Sequence, residues 1–199
     1  MYKGKYTEES NRKRQERWAR YGRGDKAITK PIPSMERWFE MPRKWTFQMP
    51  KLRRWIESRL EGDVLNLFGG VVRLPNATHN DLNAELLNPG DLNLDAFDLA
   101  AWRDHASRYD TVVFDPPYSA HQAVVSYGTK RAQRVTHARD VVEYVLKPDG
   151  RVISLGFNST GMSDGRGFTK EALALVNCGG SHNDYILLSE RRIEDSVQG

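Results

Sequence analysis

The sequence contains a single cysteine and has no long hydrophobic run. Because Cys178 has no partner in the chain, an internal disulfide is excluded. No stretch approaches the roughly 18 consecutive apolar residues that a membrane-spanning helix needs. Residues 1–14 also lack the apolar segment of a secretory signal. These absences predict a soluble protein of a reducing compartment, the cytoplasm, with no membrane partner.

The charges are unevenly distributed along the 199 residues. Residues 1–54 contain sixteen Lys and Arg against six Asp and Glu, a balance of +10, whereas residues 55–199 contain fourteen against twenty, a balance of −6. We therefore expect a basic N-terminal arm and wrap over residues 1–45, with a polyanion as its partner. Residues 46–199 are long enough for one domain. A solvated, unstructured tail is the alternative interpretation of the arm.

The basic arm is predicted to contain one helix and one irregular stretch. An Arg-rich helix is expected from Thr7 to Tyr21, with little apolar surface to bury. Residues 25–50 contain four prolines and scattered aromatic residues, which predict an irregular wrap over the body. After Pro50, apolar residues at helical spacing predict a helix that packs on the sheet; they are Leu52, Trp55, Ile56 and Leu60.

The body alternates strand-like and helix-like segments, which indicates an α/β fold. Strands are predicted at residues 63–68, 78–82, 92–94, 111–115 and 151–156, and helices at residues 96–107 and 137–146. Residues 171–177 fit a helix or a strand. A strand is favoured, because a loop at 178–181 and a strand-like run at 185–189 complete a hairpin. The nine residues between the first two strands allow no more than a short helix, ended by Pro75.

The most informative residues are Asp115-Pro116-Pro117-Tyr118, directly after an apolar strand. In open α/β sheets, ligands bind at the carboxyl ends of the strands. Proline lacks an N–H and restricts the residue before it, so the Asp115 carboxylate and the Pro116 carbonyl can direct two acceptors at one point. Two acceptors on the N–H bonds of a nucleobase amine favour its pyramidal, nucleophilic form, and Tyr118 can stack on the base. A proline-rich turn with a capping Asp is the alternative.

This loop resembles the catalytic loop of the class I S-adenosylmethionine-dependent amino-methyltransferases, especially those that act on adenine N6. The resemblance covers residues 45–190. It implies a Rossmann-like sheet, mostly parallel with a C-terminal antiparallel hairpin. It also implies S-adenosylmethionine as the cofactor and four catalytic residues, Asp115, Pro116, Pro117 and Tyr118. Methyl transfer from a sulfonium needs no metal, and the five histidines show no metal-ligand spacing.

The resemblance further implies a cofactor site built from three turns. The first, after the first strand, contributes Asn66, Phe68, Gly69 and Gly70. It departs from the family pattern, because Asn66 replaces an acid and one glycine is missing. Asp81 matches the acid that holds the ribose hydroxyls, with a surface turn as its alternative role. Asp95, beside Ala96 and Phe97, matches the acid that accepts from the adenine amine, or caps a helix. Residues 47–51 resemble the stretch that folds over the methionine end.

The function implied by the resemblance is methylation of adenine N6 in DNA by an enzyme of bacterial, archaeal or phage type. DNA is favoured over RNA as the partner, and adenine N6 or guanine N2 of RNA is the alternative. A non-catalytic subunit that binds cofactor or nucleic acid is a third hypothesis. The chain has no room for a large recognition insert, so residues 1–45 and 119–135, or a protein partner, would supply specificity. Candidates for the base pocket and for phosphate contact are Ser119, His121, Gln122, Tyr127, Lys130, Arg131, Arg134 and Arg139.

Overall fold

A computed structural model describes residues 34–117, 135–162, 164–180 and 182–193. Seven strands form one sheet: β1 (Ser34–Phe39), β2 (Val64–Asn66), β3 (Ala77–His79), β4 (Tyr109–Phe114), β5 (Leu146–Gly156), β6 (Phe168–Asn177) and β7 (Tyr185–Arg192). The α-helices in these ranges are α1 (Pro50–Glu57) and α2 (Val135–Val145). Short 3₁₀ helices cover Thr46–Gln48, Ala84–Leu86, Leu99–His105 and Asp164–Arg166. No helix within the described ranges is long and apolar enough to cross a bilayer.

The sheet is mostly parallel, with the strand order β1-β6-β7-β5-β4-β2-β3. Strand β7 alone runs antiparallel to its neighbours β5 and β6. The remaining pairs are parallel. As a result, strands β1 to β6 all end at the same edge, which we call the carboxyl edge. This arrangement confirms the predicted Rossmann-like sheet with a C-terminal antiparallel hairpin.

Two apolar clusters pack on opposite faces of the sheet. Helix α1 covers one face, because its apolar positions Leu52, Trp55 and Ile56 fall on one side of the helix and are buried. Helix α2 and the 3₁₀ helix Leu99–His105 cover the other face. Strand β4 contributes Val113 to the first cluster and Val112 to the second. Its nearly continuous burial is typical of a central parallel strand.

The long, strongly patterned elements agree with the sequence predictions, while the N-terminal wrap does not. Part of the predicted irregular stretch, Ser34–Phe39, is strand β1, which pairs in parallel with β6 along the edge of the sheet. Its alternation is hard to detect because Met35 and Phe39 are 71% and 54% exposed. Strand β1 lies within residues 1–45 and pairs with β6, which lies beyond the predicted boundary at residue 45.

The region between β2 and β4 is more irregular than predicted. Residues 67–76 contain no helix, and the predicted third strand is reduced to one bridge between Asn80 and Leu92. A bidentate ion pair between Arg73 and Asp91, with both distances at 2.7 Å, joins this short crossover to the next loop. The predicted helix over 96–107 is a 3₁₀ helix over Leu99–His105. The nine residues between the first two predicted strands are too few for a regular crossover helix. Side-chain contacts such as the Arg73–Asp91 ion pair stabilise this connection instead.

Several sequence predictions fall outside the described residues. They concern the helix from Thr7 to Tyr21, the fourth residue of the proline loop, Tyr118, and the candidate residues between 119 and 134. Arg139, the last of those candidates, lies in α2.

Candidate active site

A cavity of about 300 Å³ opens at the carboxyl edge of the sheet. One wall is the segment that leads into α1, and the opposite wall consists of the turns that follow β2 and β3. Asp115, directly after β4, lies between them. The described residues that line the cavity are Trp45, Thr46, Phe47, Phe68, Gly69, Gly70, Val71, Val72, Asp81, Leu82, Asn83, Leu86 and Asp115. The predicted glycine turn, the β3 acid and the proline loop therefore meet at one site.

A narrow apolar slot of about 30 Å³ continues from this cavity. The two spaces share Phe68, Asp81 and Leu82. The rest of the slot is formed by Leu67, Asn80, Leu94, Ala96, Phe97 and Pro117. The ring of Phe68 lies 5.7 Å from that of Phe97. The lining of this space is mostly apolar.

The turn after β2 has the backbone geometry that a ligand-binding glycine turn needs. Gly70 has φ +58°, and a Cβ placed on it would meet no atom within 4 Å, so the turn borders open space there. The backbone N–H of Gly69 donates to the carbonyl of Asn80 at 2.7 Å. A Cβ on Gly69 would lie 3.1 Å from His79, so this glycine allows the turn to pack on β3.

Asp81 organises two turns at once. Its Oδ2 accepts a hydrogen bond from the Gly70 N–H at 2.9 Å, and its Oδ1 accepts one from the Asn83 N–H at 2.8 Å. Its exposed fraction is 5%, so the surface-turn alternative is wrong. The carboxylate lies on the wall shared by the cavity and the slot. Each oxygen keeps a second acceptor position for a ligand hydroxyl.

Asn80 is a residue that the sequence analysis missed. Its side-chain Nδ2 donates to the carbonyls of Leu67 and Leu94, at 3.1 and 3.0 Å, and its Oδ1 accepts from the Leu94 N–H at 2.9 Å. Its backbone N–H donates to Asn66. Asn80 therefore ties β2, β3 and the following loop together below the slot. The sequence offers one indication of this role, because Asn80 directly precedes the predicted Asp81.

Asn66 lies behind the turn rather than on the cavity wall. It is fully buried, and it is absent from the described lining of both spaces. Its Nδ2 approaches Nδ1 of His79 at 3.4 Å, and its Oδ1 has no hydrogen-bond partner among the described residues. Of the residues predicted for this turn, Phe68, Gly69 and Gly70 do line the cavity.

Asp95 does not cap the 3₁₀ helix that follows it. The N-cap is Asp98, whose Oδ1 accepts from the Ala100 N–H at 3.1 Å. Asp95 instead accepts a hydrogen bond from the Phe97 N–H at 2.9 Å, which fixes a local turn. This turn places Ala96 and Phe97 against the slot. The helix-cap alternative for Asp95 is therefore wrong.

Asp115 lies on the cavity wall, opposite the aromatic residues that precede α1. Burial of the carboxyl group raises its pKa to about 6, against a smaller, lowering effect of a hydrogen bond from Thr46. Pro116 and Pro117 are buried behind it, and Pro117 also borders the slot. A carboxylate on the cavity wall whose partner is a hydroxyl rather than a cation remains available as an acceptor.

Glu40 fixes the start of α1, just after the segment that contains Thr46. Glu40 is buried, and its two oxygens accept from the Lys51 and Leu52 N–H groups at 2.8 and 2.9 Å. These are unpaired donors of the first helical turn, which a carboxylate stabilises well. The helix cap itself, Met49, has no side-chain acceptor. Of the predicted segment 47–51, only Phe47 lines the cavity, together with Trp45 and Thr46 before it. Neither Thr46 nor Glu40 was predicted.

The cavity is acidic and aromatic. Its described lining contains two carboxylates, Asp81 and Asp115, and no Lys, Arg or His. Three aromatic rings, of Trp45, Phe47 and Phe68, face the same space. Rings and carboxylates attract a cation, whereas a phosphate-bearing ligand needs positive or N–H groups. The described parts of the chain also contain no group of three or more His, Cys, Asp or Glu placed to hold a metal ion.

Comparison with known proteins identifies the fold. No protein-family model and no curated protein matches the sequence. Among solved structures, the N-methyltransferase NodS from Bradyrhizobium japonicum WM9 superposes with a TM-score of 0.51 at 13% identity, over 73% of this chain and 93% of that one. The fold is that of the class I methyltransferases.

Two further structures are similar at lower TM-scores. TrmN from Thermus thermophilus matches with 17% identity and a TM-score of 0.49, over 73% of this chain and 49% of that chain. The Burkholderia thailandensis 1,6-didemethyltoxoflavin-N1-methyltransferase, with bound S-adenosylhomocysteine, matches with 15% identity and a TM-score of 0.46, over 70% and 74%. In the class I methyltransferase fold of this chain, the cavity described above lies at the carboxyl ends of β2, β3 and β4.

Proposed function

We propose that the protein transfers the methyl group of S-adenosylmethionine to an exocyclic amine of a nucleobase, with adenine N6 in DNA as the favoured acceptor. One observation carries this proposal: Asp115, followed by two prolines, lies on the wall of a cavity that also borders the glycine turn and Asp81. The carboxylate makes no ion pair with a described cation; its partner is the Thr46 hydroxyl. The Asp115 carboxylate can therefore accept a hydrogen bond from an amine, and it borders a cavity large enough for a small ligand.

The residues around the cavity fit S-adenosylmethionine better than a phosphate-bearing dinucleotide. The sulfonium and ammonium groups are cationic, which suits a lining of two carboxylates and three aromatic rings. The apolar lining beside Phe97 and Leu82 suits the face of an adenine ring. Asp81 offers carboxylate oxygens to ribose hydroxyls, and the open side of Gly70 leaves room for the methionine part. The volume of about 300 Å³ is at the lower end of ordinary ligand pockets.

The bound cofactor supplies an electrophilic methyl group on a sulfonium. The residues of this chain supply position and electrostatics. Asp115 and the Pro116 carbonyl would accept the two N–H bonds of the amine and orient its lone pair toward the methyl carbon. A nitrogen–carbon bond forms while the sulfur–carbon bond breaks, and the surplus proton of the amine passes to Asp115 or to water. A carboxyl group with a pKa of about 6 accepts a proton more readily than an ordinary Asp does.

The nucleic-acid part of the proposal rests on charge and on the loop. The basic residues are concentrated in the first quarter of the sequence, which favours a polyanion. In duplex DNA the target base must leave the stack, at a cost of about a few kcal/mol. Adenine N6 and guanine N2 of RNA present the same amine to the loop and are the alternative acceptors. A non-catalytic subunit has no need of an available carboxylate at Asp115. The position of this carboxylate on the cavity wall therefore favours an enzyme over a non-catalytic subunit.

The direct test measures transfer of a labelled methyl group into duplex DNA, single-stranded DNA and structured RNA. The Asp115→Ala variant should bind S-adenosylmethionine by calorimetry and transfer no label. Glu85→Ala, which changes an exposed residue outside the catalytic loop, is the matched control and should keep the activity. Incorporation of the labelled methyl group into RNA alone would show that RNA, and not DNA, is the substrate. Wild-type protein that binds no S-adenosylmethionine would overturn the proposal.

A further inference from the structure

A basic groove runs along the outer edge of the sheet, between β1 and α1. Its volume is about 530 Å³. The described residues that line it are Glu36, Arg37, Trp38, Lys51, Arg54, Trp55, Ser58 and Arg59. Four of these side chains are cationic and one is a carboxylate. Neither the cofactor cavity nor the slot includes any of them.

The carboxylate of the groove is already neutralised. Oε1 of Glu36 accepts from Nη2 of Arg59 and from Nε1 of Trp55, at 2.9 and 2.8 Å. The Arg59 guanidinium lies 3.9 Å above the Trp55 ring. This set of contacts fixes one cation of the groove and cancels its one negative charge. The remaining charge of the groove is positive.

Three cations of the groove have no carboxylate partner. Nζ of Lys51 donates to the Phe39 carbonyl at 3.2 Å. The side chains of Arg37 and Arg54 are exposed, and neither makes a hydrogen bond or ion pair within the described residues. A carbonyl leaves the charge of Lys51 uncompensated. The groove therefore presents three positive charges to a ligand.

The spacing of these cations suits a linear polyanion. Lys51 and Arg54 lie three residues apart on one side of α1, so their backbone positions are about 4.5 Å apart along the helix axis. This rise is comparable to the step of about 3.4 Å between successive nucleotides of one strand along a duplex axis. Arg37 lies across the groove, on β1. A compact anion such as a single phosphate would use only part of this row.

The groove and the candidate active site are linked through the start of α1. Lys51, which lines the groove, is in the first turn of α1, where Glu40 accepts its backbone N–H. The segment just before that turn contains Thr46, which lines the cavity with Asp115.

From these observations we infer that the groove between β1 and α1 binds the phosphate backbone of the nucleic-acid substrate, through Arg37, Lys51 and Arg54. This inference rests on the proposed function and assigns residues to the backbone contact. The contact is independent of base sequence, because it involves phosphates alone.

The test compares two double variants that lose the same charge. Arg37→Gln with Arg54→Gln changes the groove, whereas Arg103→Gln with Arg108→Gln removes two exposed cations on the α2 side of the sheet. Affinity for a labelled 20-nucleotide single strand, its duplex and the matching RNA is measured by fluorescence anisotropy between 50 and 300 mM salt. Calorimetry with S-adenosylmethionine and thermal unfolding establish that both variants fold and keep the cofactor site.

For the groove variant, the slope of log affinity against log salt should fall in magnitude by about 1.4 for a single strand and about 1.8 for a duplex. That change corresponds to an affinity loss of roughly 25-fold and 60-fold at 0.1 M salt. The slope measured for the control variant should differ from the wild-type slope by less than about 0.5. Equal losses in both variants, or no loss in the groove variant, would overturn the inference. Methyl transfer and cofactor binding by the wild type are measured separately from nucleic-acid affinity. Failure of the proposed function can therefore be distinguished from failure of the groove inference.

Discussion

Thr46 and Asp115 both line the cavity, and the Thr46 hydroxyl is the hydrogen-bonding partner that lowers the pKa of the Asp115 carboxyl group. Burial raises the pKa of Asp115 to about 6, and the hydrogen bond from Thr46 opposes this rise because it stabilises the charged form. The pair connects the segment before α1 with the loop after β4. Burial has the larger effect on the pKa of Asp115, and the Thr46 hydroxyl reduces that effect.

The first prediction concerns the pH dependence of methyl transfer. Because protonated Asp115 cannot accept the second N–H bond, kcat/KM should fall below about pH 6 with the slope of a single proton. The measurement is initial-rate kinetics at subsaturating acceptor from pH 5 to pH 8.5. A rate that stays constant down to pH 5 would show that the Asp115 carboxylate is not required.

The second prediction concerns Thr46. Thr46→Val removes the hydrogen bond that stabilises the carboxylate, so the pKa of Asp115 should rise and the acid limb of the rate profile should move up by about one pH unit. Thr46→Ser keeps the hydroxyl and should leave the limb in place. Identical profiles for Thr46→Val and the wild type would contradict this role. A loss of rate at every pH without a shift would indicate that Thr46 acts on packing alone.

The third prediction concerns stability. The pKa of Asp115 is raised in the folded state, so the folded protein binds the proton more tightly than the unfolded chain does, and stability falls as pH rises from about 4 to about 6. Asp115→Asn should therefore be more stable than the wild type at pH 8, by about 1 to 3 kcal/mol. The difference should shrink as pH is lowered toward 4. Urea unfolding at four pH values measures it, and a pH-independent difference would contradict a buried, ionised carboxylate.

The fourth prediction concerns Asp81, whose carboxylate holds the Gly70 and Asn83 N–H groups. Asp81→Ala leaves both donors without their acceptor and should lower the free energy of unfolding by about 1.5 to 3 kcal/mol. Cofactor affinity should fall at least tenfold, because the glycine turn loses its support. Asp81→Asn can keep one of the two bonds and should show an intermediate loss of stability. Unchanged cofactor affinity in Asp81→Ala would remove Asp81 from the site.

The fifth prediction compares two exposed leucines. Leu82 is 46% exposed and lines both the cavity and the slot, whereas Leu99 is 44% exposed and lines neither. Covering the exposed half of Leu82 with a ligand contributes about 1 kcal/mol, so Leu82→Ala should weaken cofactor binding about fivefold. Leu99→Ala should not change it. Calorimetry on both variants decides, and equal affinities would place the cofactor outside the slot.

The elements predictable from sequence were those whose burial is one-sided or complete. Strand β4 and helix α1 have strong apolar patterns, and the order of loops at the carboxyl edge follows from the α/β alternation. Strand β1 was missed because its outward residues, such as Met35 and Phe39, are apolar and exposed. An edge strand with one covered face and several prolines nearby has no clear period.

The position of a residue on the cavity wall was predictable where a motif fixes it, and was missed where tertiary contacts fix it. Asp115 and Asp81 could be placed at this edge because each follows the end of a strand. Asn80 and Glu40 act through hydrogen bonds to backbone groups that are 11 to 14 positions away in the chain, and no local pattern encodes these contacts. Asn66 shows the reverse: the motif predicted a cavity residue, but the turn places it behind the wall.

The most direct test of the account is mass spectrometry of nucleosides from DNA and RNA after incubation with the protein and isotopically labelled S-adenosylmethionine. We predict label on an exocyclic amine, at adenine N6 of DNA in the favoured case, and none with Asp115→Ala. Label on a ring carbon such as cytosine C5, or an unchanged yield with Asp115→Ala, would contradict the proposed function.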